Sequence, residues 1–315
     1  MKKRSIILLF IITSSLLIVD TKVNAQTEPM YSQYMYNMLG VNPAYAGNRE
    51  ATSLNFFQRN QWIGLKGAPK TTSISIDQAA KDGKIGIGFQ AYDDRLGVES
   101  ATGFNAILSS RVKVSDKGIL SGGISFGLMN YRITLNDVLN RYTPADPSFI
   151  SSAKPSQWNP SVGIGIYYNT DKMYLGISTP SILRSRLAKY ENFASGIQKM
   201  DNFHLFATAG FVYEINEEIK LKPSTMLKVV SGAPIEADIN LNLWLKDLLG
   251  IGGSYRTGDA FVGMVEIQAT DNLRFGYAYD MPFSPLKYFA KGSHEIMLRY
   301  EIGNFKTRIK STRYF

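Results

Sequence analysis

From about residue 51 to residue 302 the chain alternates apolar and polar residues in short segments. Leu273, Phe275, Tyr277 and Tyr279 fall on one face of an extended stretch, and Arg274, Gly276, Ala278 and Asp280 on the other. Successive side chains of a strand point to opposite faces, so each segment has one greasy face and one polar face. The pattern predicts strands at 51–58, 71–78, 84–93, 102–112, 118–132, 159–169 and 172–179. In the second half it predicts 203–215, 219–230, 237–245, 249–256, 261–269, 273–280 and 294–302. That is about fourteen strands, an even number as single-chain bacterial barrels require.

Alternation alone fits two architectures. A soluble sandwich turns its apolar faces inward, whereas a membrane barrel turns them outward to lipid. A charge facing mid-bilayer lipid costs about 2–4 kcal/mol, so in a barrel Asp238, Glu295, Arg299 and Glu301 must look into the lumen. The connections select the barrel. Asp82-Gly83, Ser115-Asp116-Lys117, Thr170-Asp171, Asn216-Glu217-Glu218, Lys246-Asp247 and Asp271-Asn272 are short. Between them lie longer or irregular links at 59–70, 94–101, 133–158, 180–202, 231–236 and 281–293, with Thr257-Gly258-Asp259 short where a long loop is expected. Short turns on the periplasmic side and long loops outside characterise outer-membrane barrels. The expected fold is all-β: a transmembrane antiparallel β-barrel preceded by a short helical or plug segment.

The N-terminus reads as an export signal. Lys2, Lys3 and Arg4 precede a mostly apolar run from Ser5 to Val19, and Val23-Asn24-Ala25 offers a cleavage site before Gln26. The division expected is a signal peptide at 1–25, a pre-barrel segment at 26–50, the barrel at 51–302 and a basic tail at 303–315. Within 26–50, Tyr31, Tyr34, Met35 and Met38 recur at helical spacing, Gly40 is placed to end the helix, and Asn42-Pro43 reads as a turn. This segment is expected to pack inside or beneath the barrel. After residue 25 no apolar run approaches the ~20 residues of a spanning helix. Mean hydropathy of −0.11 agrees with strands that give only alternate residues to lipid.

Cys 0 removes disulfides, thiolate metal sites and cysteine nucleophiles. The net charge of +9 loses +3 with Lys2, Lys3, Arg4, Lys22 and Asp20, which leaves about +6. A basic surface suits anionic lipid headgroups or an acidic partner. No basic helix or Cys/His motif points to nucleic acid.

Gly123-Ile124-Ser125-Phe126-Gly127 matches a nucleophile-elbow pattern, but Ser125 lies within an extended run rather than at a strand-to-helix turn. Gly86-Ile87-Gly88 and Gly163-Ile164-Gly165 lack a following helix and read as strand glycines. Alternate glycines either let another segment sit against the barrel wall or serve its curvature. His204 and His294 each start a strand and form no metal motif, and Asp93-Asp94 reads as a solvated loop edge. No cofactor is expected. The stretch from Arg59 to Pro69 mixes Trp62 with Arg59, Gln61 and Lys66; it reads equally as a binding hot spot and as an interfacial belt. The tail carries Lys306, Arg308, Lys310 and Arg313 before Tyr314-Phe315.

Tyr31-Ser32-Gln33-Tyr34-Met35-Tyr36-Asn37, Asn42-Pro43-Ala44-Tyr45-Ala46-Gly47 and Arg59-Asn60-Gln61-Trp62 with Gly67-Ala68-Pro69 resemble the PorP/SprF family. The closing Tyr314-Phe315 is similar too. These are outer-membrane proteins of the type IX secretion system of Bacteroidetes. The resemblance implies a non-enzymatic role in exporting or anchoring a secreted client, such as a surface adhesin, in some members with a link to gliding. The implied partners are a client with a type IX C-terminal domain, other secretion or gliding components, and outer-membrane lipid. Candidate partner-binding residues are Arg59, Gln61, Trp62, Lys66, Tyr314 and Phe315. The rival functions are a channel for a small solute and a hydrolase using Ser125.

Overall fold

The computed structural model describes residues 30–49, 51–133, 157–182, 204–230 and 233–303. The signal region, the core of the links at 134–156 and 183–203, and the basic tail with Tyr314 and Phe315 lie outside the described residues.

One antiparallel sheet closes on itself. Its strands are β1 (Thr52–Asn60), β2 (Lys70–Ala79), β3 (Ile85–Leu96), β4 (Glu99–Lys113), β5 (Ile119–Ile133), β6 (Gln157–Asn169) and β7 (Met173–Thr179). They continue with β8 (His204–Phe211), β9 (Tyr213–Glu214), β10 (Ile219–Val230), β11 (Glu236–Leu245), β12 (Leu249–Arg256), β13 (Ala260–Gln268), β14 (Leu273–Pro282) and β15 (Ser293–Ile302). β8 and β9 both pair with β10, on either side of Val212, and together make one stave. Neighbours in sequence pair throughout, and β1 pairs with β15 from Thr52↔Ile302 to Asn60↔His294. The result is a closed barrel of fourteen staves, which leaves no edge of unpaired backbone groups in lipid.

Each predicted strand is present, most with ends shifted by one to three residues. β10 and β12 begin and end where the alternation does. The faces also fall as expected. On β14, Phe275 and Tyr277 are exposed while Arg274, Gly276, Ala278 and Asp280 are buried. On β11, Ile239 and Leu241 face out, and Asp238, Asn240, Asn242 and Trp244 face in. Among the described residues no helix is long and apolar enough to cross a membrane; the strands do the crossing.

The link expected at 94–101 is a correction. Asp94, Arg95 and Leu96 continue β3, Glu99, Ser100 and Ala101 begin β4, and only Gly97 and Val98 join them. The charged residues are satisfied within the sheet: Thr71 Oγ1 donates to Asp94 at 2.5 Å and Arg95 pairs with Asp93 at 2.7 Å. Gly97 takes a φ of 61°, the left-handed backbone that so tight a turn requires.

The single helix expected before the barrel is also corrected. Residues 34–36 form a 3₁₀ turn, Met38–Val41 one turn of α-helix, and residues 43–45 a second 3₁₀ turn. Gly40 lies inside the α turn instead of ending it. A Cβ there would stand 2.6 Å from the Gln90 side chain, so the glycine serves contact with the wall. The chain turns three times because its backbone groups bond to the barrel as well as to themselves.

Candidate functional site

Residues 30–49 fill the lumen. Tyr31, Tyr34, Met35, Tyr36, Met38, Leu39, Ala44, Tyr45 and Ala46 are all buried, and with inward residues such as Phe57, Tyr167, Tyr174, Phe206, Met226, Met264 and Met297 they form the core. The segment descends the barrel. Ser32 contacts Arg59, Asp280 and Glu295 near the ends of β1, β14 and β15 that carry the 61–69 and 283–292 links. Arg49 reaches Glu301 at the opposite end. With the short turns on the periplasmic side, the segment runs from the outer half inward and then enters β1.

Buried ions pin its outer end. Glu295 accepts from the backbone N–H groups of Ser32 and Gln33, each at 2.8 Å. The Ser32 hydroxyl donates to Asp280 at 2.7 Å and accepts from Arg59 at 2.7 Å and Arg256 at 3.1 Å. Arg59 pairs with Asp280 at 2.6 Å and with Glu295 at 3.0 Å. Arg256 extends the network to Asp280 at 3.2 Å and Asp238 at 3.0 Å, and Lys228 bridges Asp238 at 2.8 Å and Glu236 at 2.5 Å. Desolvating these charges is costly, and their mutual pairing with these hydrogen bonds offsets it. Among the described residues Arg59 Nε, alone of the Arg59 nitrogens, lacks a partner.

Polar wall residues hold the middle and the lower end. Asn240 donates to the Tyr34 hydroxyl at 2.7 Å, and Arg299 donates to the Tyr36 carbonyl. Ser178 donates to the Val41 carbonyl at 2.7 Å and Asn42 to the Ile166 carbonyl at 3.0 Å. Below, Ser109 donates to Ala46 O and Arg111 to Gly47 O, both at 2.7 Å. The Gly47 N–H donates to Asp77 at 2.9 Å.

The alternate glycines make room for this segment. A Cβ on Gly86 would lie 1.9 Å from the Ala46 carbonyl oxygen, and one on Gly123 would lie 2.3 Å from the Ala44 nitrogen. Gly165 faces Asn42 in the same way, and Gly163 faces the Pro180 carbonyl beyond β7. Close approach is their role; a side chain would strike backbone at Gly86, Gly123 and Gly163 and the Asn42 side chain at Gly165. Ser125 sits in mid-β5, buried and opposite Gly163, so the sharp turn of a nucleophile elbow is absent. His294 faces outward and contacts the Tyr277 hydroxyl at 2.6 Å.

The structure separates the residues grouped by sequence between Arg59 and Lys66. Arg59 is 1% exposed and points into the lumen, where it holds Ser32 and two carboxylates. Gln61 and Trp62 are half-buried and Lys66 is exposed on the outer link. Trp62 takes a φ of 48°, and its N–H donates to the Ser293 hydroxyl at 3.2 Å. Ile63 exchanges backbone bonds with Gly292 and Lys291, which stitches the 61–69 link to the 283–292 link. Asp280, Glu295, Arg256 and Glu301 were not singled out as site residues by the sequence. Their inward-facing charge was the available signal, but their partners in the lumen segment and on β1 lie more than 200 positions away.

A sequence profile described as "Type IX secretion system membrane protein PorP/SprF" matches residues 23–300. The chain belongs to the PorP/SprF family. It is therefore a membrane component of the type IX secretion system, and its closed barrel of greasy exterior is of the outer-membrane kind. The match embraces both the lumen segment and almost all of the barrel, so the PorP/SprF assignment covers the site as well as the scaffold. A comparison with curated proteins finds no match. Among solved structures, the Acinetobacter baumannii outer membrane protein Omp33 aligns with a TM-score of 0.47 at 7% identity, covering 81% of this chain and 100% of its own. The KdgM porin aligns at 0.39 and 8% identity over 80% and 99%, and a Rhodopseudomonas blastica porin mutant at 0.34 and 10% over the same shares. All three scores lie below 0.5, and the fold rests on the strand pairing itself.

Proposed function

We propose that this PorP/SprF protein helps export or anchor a specific secreted client at the cell surface and does no chemistry of its own. The observation that carries the reading is the lumen occupied by residues 30–49 and pinned at both ends by buried ion pairs. A solute channel needs a water-filled path, and here side chains and backbone of the same chain fill it. What remains for function is the outer surface. The client is a protein with a type IX C-terminal domain, and gliding components join where the client is an adhesin. Gln61, Trp62 and Lys66 on the outer link, with Tyr314 and Phe315 in the tail, are the proposed contacts; Arg59 acts behind them by fixing the lumen segment.

The test is deletion of the gene followed by proteomics of the cell surface and the medium. One client or client group is expected to be lost from the surface or shed. Unchanged display of every type IX client overturns the reading.

A further inference from the structure

Four neighbouring strands, β2, β1, β15 and β14, mark where the lipid ends. Their pairing sets Ile74, Phe56, Leu298 and Phe275 side by side on the outward face. Two residues nearer the outer mouth the row reads Thr72, Gln58, Ile296 and Tyr277. Two residues further it reads Lys70, Asn60, His294 and Tyr279. The exterior thus passes, within four residues, from apolar side chains to groups that hydrogen-bond. Such a boundary is where a bilayer gives way to headgroups, and a tyrosine ring with a polar tip suits it.

Above the polar row, residues 61–70 and 283–292 form one lip. The Ile63 N–H donates to the Gly292 carbonyl and the Lys291 N–H to the Ile63 carbonyl, each at 2.8 Å. The Tyr279 hydroxyl donates to the Lys291 carbonyl and ties the lip to the row beneath it. The two stretches hold Lys66, Lys70, Lys287 and Lys291 and no Asp or Glu. All four lysines are exposed, and among the described residues none has a carboxylate partner. The other described turns between strands each contain or border an acid, such as Asp82, Asp116, Asp171, Asp247, Asp259 and Asp271. The excess of positive charge is therefore particular to this lip. Tyr288 and Phe289 are 77% and 71% exposed, the most exposed aromatic side chains among the described residues. Phe283, at the start of the same link, stacks on Tyr255 and Phe261 of the outward wall. The lip is thus continuous with the lipid-facing surface. Lysine stems lie along apolar surface while their ammonium groups reach for anions, and exposed rings beside them enter the headgroup boundary.

We propose that this lip binds the phosphate of an outer-leaflet lipid, with Lys70, Lys287 and Lys291 as its cations and Tyr288 and Phe289 against the acyl chains. An ordinary interfacial belt asks for no particular headgroup; unpaired ammonium groups on a lip without acids ask for phosphate, to which they make charge-assisted hydrogen bonds. The lipid binds whether or not a client is held, and Lys66 stays with the client contacts proposed above.

The experiment uses the protein purified from its outer membrane in mild detergent and washed free of native lipid. Dioleoylphosphatidic acid is added, or dioleoylphosphatidylcholine, whose choline cation offsets its phosphate, and bound lipid is counted by native mass spectrometry. Migration of unheated protein on gels reports whether the barrel is folded. The wild type is expected to retain at least tenfold more phosphatidic acid than phosphatidylcholine. The triple variant Lys70→Gln, Lys287→Gln, Lys291→Gln is expected to lose that excess. The triple variant Lys81→Gln, Lys113→Gln, Lys117→Gln removes the same charge from the opposite rim and is expected to keep it. Tyr288→Ser with Phe289→Ser is expected to weaken retention severalfold, and inorganic phosphate in large excess to leave it unchanged. Equal retention of the two lipids, an undiminished excess in the folded lip variant, or equal loss from the opposite-rim variant overturns the inference. Displacement by inorganic phosphate overturns it too, by assigning the lip to the free ion. Undiminished lipid on the lip variant together with lost client display assigns the lip to an acidic client instead.

Discussion

Arg59 carries a positive charge into a place without bulk water, and everything around it answers that charge. Asp280 and Glu295 pair with it, and Ser32 joins both carboxylates to the lumen segment. Removing one partner of a buried pair leaves an uncompensated charge, at a cost of about 3–5 kcal/mol. Arg59→Ala is therefore expected to loosen the outer end of the segment, seen as new protease cleavage between residues 30 and 37 in a barrel that stays closed. Protection equal to the wild type contradicts the pinning role. The glycines act by absence. Gly86→Val and Gly123→Val each thrust a side chain into the backbone at Ala46 or Ala44. Both are expected to expel residues 43–46 from the wall and lower the thermal midpoint, whereas Gly122→Val, which meets nothing within 4 Å, leaves it unchanged. The glycine pattern was legible in sequence as two readings, close approach or curvature. Only the position of the neighbouring backbone chooses between them.

At the scale of elements, the strands follow from local pattern and the lumen segment does not. A strand is specified by a period of two and a hydrogen-bonded neighbour on each side, so sequence finds it; β10 and β12 were located to the residue. The lumen segment has Tyr and Met at helical spacing, yet no helix forms beyond one turn, because wall residues such as Ser178, Ser109 and Arg111 take its carbonyls. Deleting residues 30–49 is expected to open a conducting path, measured as ohmic current in planar bilayers, against little or none for the intact chain. Steady ohmic conductance from the intact protein contradicts occlusion. The outward faces are equally exposed to test. Leu241 is near the centre of β11 and faces lipid, so Leu241→Arg is expected to destabilise the folded barrel by about 2–4 kcal/mol in vesicles. The same change at a periplasmic turn such as Leu248 costs far less, because depth in the bilayer sets the penalty.

For the whole molecule, a closed barrel filled by its own N-terminal segment divides the work. The exterior satisfies lipid, and the polar and charged residues of the inner wall hold the segment. The expected consequence is a mutational map with two outcomes. Changes among the buried ion pairs, such as Asp280→Asn, are expected to lower stability, read as the temperature at which the gel shift of the folded barrel is lost. Changes at Trp62 or Lys66 on the outer link are expected to affect client display while leaving that temperature within a few degrees.

The sequence by itself determined the staves, their inward and outward faces and the closed barrel, because alternation and turn length are local and repeat fourteen times; the motifs at 31–37, 42–47 and 59–69 pointed to the family. It also marked the N-terminal segment as something apart from the sheet. Tertiary structure alone decided where that segment sits, which glycine faces it, and that Arg59 belongs with Asp280 and Glu295 instead of with Trp62. It alone showed that buried ion pairs hold the segment at both ends. The physical reason is that ion pairs and cavities are made by residues distant in the chain, brought together only when the last stave pairs with the first.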